Sequence, residues 1–147
     1  KREEKAKEEA KKEFENHKNN SFFVFGLSMY WAEGSKKHPP PHFMNSDPRI
    51  ISPMVKWFEK FLGYSKDEMK FRLYIHEPYK DENCEEFWSN VINVPSHKFK
   101  PTVYKPTKHS VKKNPDYKGC FRITIGGTHE LRKLKAWQNL LSKYYSS

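Results

Sequence analysis

Glu33 closes the most apolar stretch of the chain, in the run FVFGLSMYWAEGSKK at residues 23–37. A carboxylate is disfavoured at a helix C-terminus, where the dipole is already negative. A residue that breaks a local rule marks a place to look for function. A hard divalent cation such as Mg2+ or Mn2+ would stabilise Glu33, above all if a second copy brought its twin alongside. Held there, the cation would polarise a phosphate and activate water. The plain alternative is that Lys36 or Lys37, which follow at once, neutralises the carboxylate.

The charge points to the partner such chemistry needs. The 147 residues carry 28 Lys and Arg against 18 Asp and Glu, a net charge of +10. That balance attracts polyanions, nucleic acid first among them. The charge is uneven. Residues 98–118, KFKPTVYKPTKHSVKKNPDYK, hold seven Lys and one Asp, whereas residues 77–86, EPYKDENCEE, hold five acids and one Lys. The basic segment places Lys98, Lys100, Lys105, Lys108, Lys112 and Lys113 among Tyr104 and Tyr117, with prolines between, a composition suited to a phosphate backbone. Competing chemistries have less support. His38 and His42 flank three prolines but lack further zinc ligands, and Cys84 and Cys120 form no CxxC pair. The chain holds no P-loop, no Gly-rich dinucleotide turn and no Ser-His-Asp order. No apolar run reaches the ~18 residues of a membrane span. Without a secretory signal or a disulfide framework, the expected setting is intracellular, cytoplasm or nucleoid.

Which elements position these groups follows from periodicity and punctuation. Residues 1–18 read as an exposed, charged helix whose narrow Ala6–Ala10–Phe14 stripe suits a tether or light packing on the domain, so residues 1–20 are set off as a helix and linker from a domain at 21–147. Ser21 is placed to cap an apolar helix over 22–33, which Gly34 ends. HPPPH at 38–42 reads as a loop between short strands near 35–38 and 42–46. Asp47 and Pro48 open a helix that Gly63 closes. FRLYIH at 71–76 alternates as a half-buried strand, and 81–92 reads as a helix. Residues 99–104 form an edge strand and 120–126 another alternating strand, and Thr128 caps a last helix. The sum is an α+β domain with a small, mostly antiparallel sheet covered by helices on one face. Its other face carries Arg72, Tyr74, His76, Lys100, Thr102, Tyr104, Arg122 and Thr124, the polar, basic surface with which a sheet reads a DNA groove.

In the apolar helix, Val24, Ser28 and Ala32 recur at four-residue spacing. Small residues at that spacing let two helices approach closely, and the pattern suits a helix that packs on a copy of itself. Taken together, FGLSMYWAEGSKK and HFMNSDPRII resemble the LAGLIDADG family, in its divergent single-motif chromosomal branch; FRLYIHE, FWSNVINVP and the final strand and helix follow the same order over residues 22–143. The resemblance implies an αββαββα core whose saddle-shaped sheet lies in the DNA major groove, here with an N-terminal helix and an inserted helix at 81–92. It implies a homodimer joined at the motif helices, with Glu33 and Gly34 in the positions of the metal ligands and Ser28 in the place of an internal glycine. The resemblance further implies metal-dependent cleavage of a specific duplex site and a basic residue near the scissile phosphate, for which Lys100, Lys105 and Lys108 are candidates by chemistry alone. The alternatives are a DNA-binding regulator of the same fold that does not cut, and a small interaction domain whose basic charge is incidental.

Overall fold

The computed structural model describes residues 1–107 and 115–147. The fold is α+β. Its elements are α1 (Arg2–His17), α2 (Ser21–Glu33), β1 (His42–Asn45), α3 (Pro48–Leu62), β2 (Lys70–His76), α4 (Cys84–Ile92), β3 (Val103–Lys105), β4 (Cys120–Thr124) and α5 (Thr128–Ser146). The sheet order is β1-β4-β2-β3. β4 is antiparallel to both β1 and β2, but β3 runs parallel to β2, so the sheet is mixed rather than antiparallel.

Local chemistry sets the helix ends. The Asn20 side chain, one residue before Ser21, caps α2 by accepting from the Phe22 and Phe23 N–H groups at 2.9 and 3.1 Å. Asp47 accepts from Arg49 N–H at 2.9 Å, and Gly63 closes α3 at φ 73°, a left-handed value that costs glycine nothing. At α5 the capping residue is Gly127 rather than Thr128. Glu130 reaches back to accept the Gly127 N–H at 2.8 Å, so a carboxylate occupies the first turn of the helix.

Three expected elements differ. No strand forms at 35–38; only a Gly34–Phe43 bridge does. Pro39, Pro40 and Pro41 have no N–H to donate, and Tyr30 OH holds the chain in a turn by donating to Ser35 O at 2.6 Å. The helix at 81–92 starts later, because residues Glu77–Glu82 form a 3-10 segment and Asn83 turns the backbone through φ 49°. The strand at 99–104 shrinks to Val103–Lys105, since Pro101 interrupts pairing after Lys100 N–H donates to Phe71 O at 2.8 Å.

α1 is not an exposed appendage. Ala6, Ala10 and Phe14 are buried, and Trp137 Nε1 donates to the Ala10 carbonyl at 3.0 Å. α1 lies parallel to α5, with Glu9 against His129, Glu13 against Lys133 and Asn19 against Tyr144. The core joins α2, α3 and α5 to the sheet through Phe23, Trp57, Phe61 and Trp137.

Candidate nucleic-acid interface

The pairing register assigns every strand residue to a face. One face buries Phe43, Phe71, Leu73, Ile75, Phe121 and Ile123 under the helices. The other face is built in rows across the strands: His42–Thr124–Lys70, then Met44–Arg122–Arg72, then Cys120–Tyr74–Val103, with His76 beside Lys105. None of these residues is acidic, and four are Lys or Arg.

Arg72 and Arg122 stand directly opposite each other on antiparallel strands. Like charges in that position are destabilising. No carboxylate separates them, and the Nε of each is buried without a hydrogen-bond partner. The Arg122 guanidinium lies 4.9 Å from the Tyr74 ring centroid and Lys105 Nζ lies 5.8 Å from it, so two cations share one aromatic face. Burial, and then the Arg122 charge, hold the His42 imidazole below its ordinary pKa. The face thus concentrates positive charge that the described protein does not neutralise.

Of the residues expected on this face, Arg72, Tyr74, His76, Arg122 and Thr124 are there, and Lys105 of the basic segment joins them; Lys100 lies outside the strands, its N–H donating to Phe71 O at 2.8 Å. Thr102 and Tyr104 are not. Parallel pairing sets Val103 beside Tyr74 and Tyr104 beside Ile75, which turns Tyr104 to the helix side. There Thr102 Oγ1 and Tyr104 OH donate to Glu85 Oε2 at 2.8 and 3.2 Å. Lys98, expected among the phosphate-binding lysines of the basic segment, pairs with Asp67 at 3.2 Å. Lys70, His42 and Met44 join the face. Extending the β2 alternation back by one step, to KFRLYIH, would have found Lys70. Lys108, Lys112 and Lys113 lie outside the described residues.

Glu33 and Lys100 do not meet within one chain. Gly34, Phe43, Ile123 and Phe71 form one row across the sheet, and the Lys100 backbone bonds to Phe71 beyond it. Four interstrand spacings separate Gly34 from Lys100, roughly 19 Å. Glu33 is exposed and makes no ion pair among the described residues. Lys36 does not neutralise it: Lys36 Nζ donates to the Gly34 carbonyl at 3.0 Å, placing an ammonium on one of the two expected metal ligands. Lys37 is exposed. Among the described residues no three His, Cys, Asp or Glu gather to hold an ion. Mg2+ is commonly held by one or two carboxylates, with waters completing its roughly six oxygens; within one chain Glu33 offers one carboxylate, while Lys36 occupies the Gly34 carbonyl.

α2 is apolar on every side, yet one side is uncovered. Gly26 packs against Trp57, which explains the smallness of that residue. Away from that contact Val24 and Ser28 are partly exposed, Trp31 is 38% exposed and Ala32 is exposed, and around the flank Phe25 is 38% exposed and Met29 partly so. A helix hydrophobic all round is normally buried all round.

No protein-family model matches the chain. No curated protein is significantly similar to it, and no solved structure is either. Among the described residues no helix is long and apolar enough to cross a membrane.

Proposed function

We propose that the chain binds double-stranded DNA as a homodimer in the LAGLIDADG manner. The acid-free sheet face carries this reading, above all the cross-strand Arg72–Arg122 pair, to which no carboxylate pairs among the described residues. Phosphates would supply the missing countercharge, and guanidinium groups on a sheet can reach base edges in a major groove about 12 Å wide. The element order lends support: α2, β1, α3, β2, β4 and α5 run as αββαββα if the Gly34 bridge stands for the first strand and α4 with β3 is an insertion. The test is a gel shift on a pool of random duplexes with EDTA present, repeated over a range of salt. Log affinity should fall by about 0.9 per phosphate contacted for each unit of log salt. A salt-independent shift, or none, refutes the reading.

The uncovered side of α2 is the dimer contact in this proposal. Ala32→Trp and Ser28→Trp each put an indole where two helices need to close. Either is expected to convert a dimer to a monomer in sedimentation at tens of micromolar, with the fold intact because neither position is buried. A wild-type protein that already sediments as a monomer at that concentration refutes dimerisation.

A second reading, metal-dependent phosphodiester cleavage, is favoured by Glu33, an exposed carboxylate at the end of α2 that makes no ion pair among the described residues. Within one chain Glu33 offers a single carboxylate, and Lys36 occupies the Gly34 carbonyl. An ion would need the second copy's carboxylate and the release of Lys36 from Gly34 O. Glu33→Gln removes charge from the negative end of a helix. It is expected to leave thermal stability and duplex binding unchanged or slightly raised, and to abolish any nicking of supercoiled plasmid in Mg2+ or Mn2+. Nicking that survives the substitution places the chemistry elsewhere.

A further inference from the structure

The first two turns of α1 run past the start of α5. Glu9 is level with His129, so Arg2 and Lys5 overhang the first turn of α5. Between the two helices lies a cavity of about 610 Å³ lined by Arg2, Lys5, Glu9, Thr128, His129 and Arg132. Arg2, Lys5 and Arg132 make no ion pair among the described residues, while the one acid, Glu9, is taken by His129 at 3.0 Å. Three cations thus line one cavity with no free carboxylate among its lining residues. Neither the sheet face nor α2 accounts for them.

We infer that this cavity is a second phosphate site, which takes the DNA backbone just outside the stretch covered by the sheet; the inference rests on the DNA-binding reading above. Chain continuity argues for backbone phosphate over a free anion. Thr124, in the row with His42 and Lys70, is only four residues before Thr128. Four residues span at most about 14 Å, which is about four steps of a duplex rising 3.4 Å per base pair. A duplex on the polar face that continues past Thr124 would run on toward the start of α5, where Thr128 and Arg132 line the cavity with Lys5 and Arg2. α1 then has a role beyond packing: it holds the cations that lengthen the bound site.

The test compares wild type with Arg2→Gln/Lys5→Gln/Arg132→Gln on duplexes lengthened two base pairs at a time. One phosphate contact multiplies affinity by about eightfold at 0.1 M salt, from a slope of about 0.9. Wild type is expected to gain at least that factor when the duplex becomes long enough to reach the cavity, and the variant to show no gain while matching wild type on the shorter duplexes. The charge-preserving Arg2→Lys/Lys5→Arg/Arg132→Lys should keep the gain, which separates charge from any disturbance of α1. Equal gains in wild type and the glutamine variant overturn the inference. Inorganic phosphate is titrated in parallel and followed by thermal midpoint. If it stabilises wild type alone and no length-dependent gain appears, the cavity takes free phosphate and the backbone assignment is overturned. If wild type binds no duplex of any length, the DNA reading itself fails; if it binds without a length step, only the second site does.

Discussion

Arg72→Gln/Arg122→Gln is expected to lose at least about 60-fold in duplex affinity at 0.1 M salt while folding as stably as wild type. The loss follows from counterion release: two phosphate contacts at about 0.9 each in the log–log slope multiply to that factor. It grows if either guanidinium reads a base, since a bidentate Arg contact is worth about 1–3 kcal/mol. The stability expectation has its own cause. The two guanidinium groups face each other across β2 and β4 with each Nε buried and unbonded, and like charges directly opposite on a sheet work against folding. Removing both relieves that repulsion and offsets the packing lost with the arginine stems. Gel shifts at two salt concentrations and a thermal melt read both halves. A double variant within twofold of wild-type affinity would remove this face from consideration. A variant that binds poorly only because it has unfolded would show it in the melt.

Gly26→Ala is expected to destabilise the fold by about 3 kcal/mol, at the top of the overpacking range. Intrinsic helix propensity predicts the opposite, a gain approaching 1 kcal/mol for Ala over Gly inside a helix, so the sign of the result is decisive. The reason is Trp57. A Cβ at residue 26 would overlap the indole ring. The ring has nowhere to go: Nε1 donates to Phe23 O at 3.1 Å, Phe23 stacks at 6.0 Å, and Trp137 meets it edge-on at 6.0 Å. For a domain of this size each kcal/mol shifts the melting midpoint by about 2–4 °C, so a fall of about 6–12 °C is the observable. Pairing Gly26→Ala with Trp57→Phe should cost less than the sum of the two single changes, because the smaller ring makes room. An alanine variant that melts at or above the wild-type midpoint would show that α2 and α3 do not meet there as described.

What the sequence alone determined about this protein is what a few neighbouring residues settle among themselves. Asp47-Pro48 and Gly63 bound α3 because capping and left-handed turns involve residues within one turn of each other. The alternation of Phe71, Leu73 and Ile75 with Arg72, Tyr74 and His76 was legible because a half-buried strand repeats every two residues. The unusual position of Glu33 was visible for the same reason. Tertiary structure alone decided how those pieces face one another. Tyr104 and Thr102 alternate as well as any strand residues, yet the parallel pairing of β3 with β2 turned them to Glu85, because register moves a whole strand's side chains from one face to the other. The narrow stripe on α1 suited a tether or light packing equally; Phe14 and two alanines dock because Trp137 supplies both area and a hydrogen bond from the far end of the chain. The charge of Arg72 and of Arg122 could be counted in the sequence. That they stand opposite each other, uncompensated, depends on strands about fifty residues apart being brought into register, and no local pattern encodes that distance.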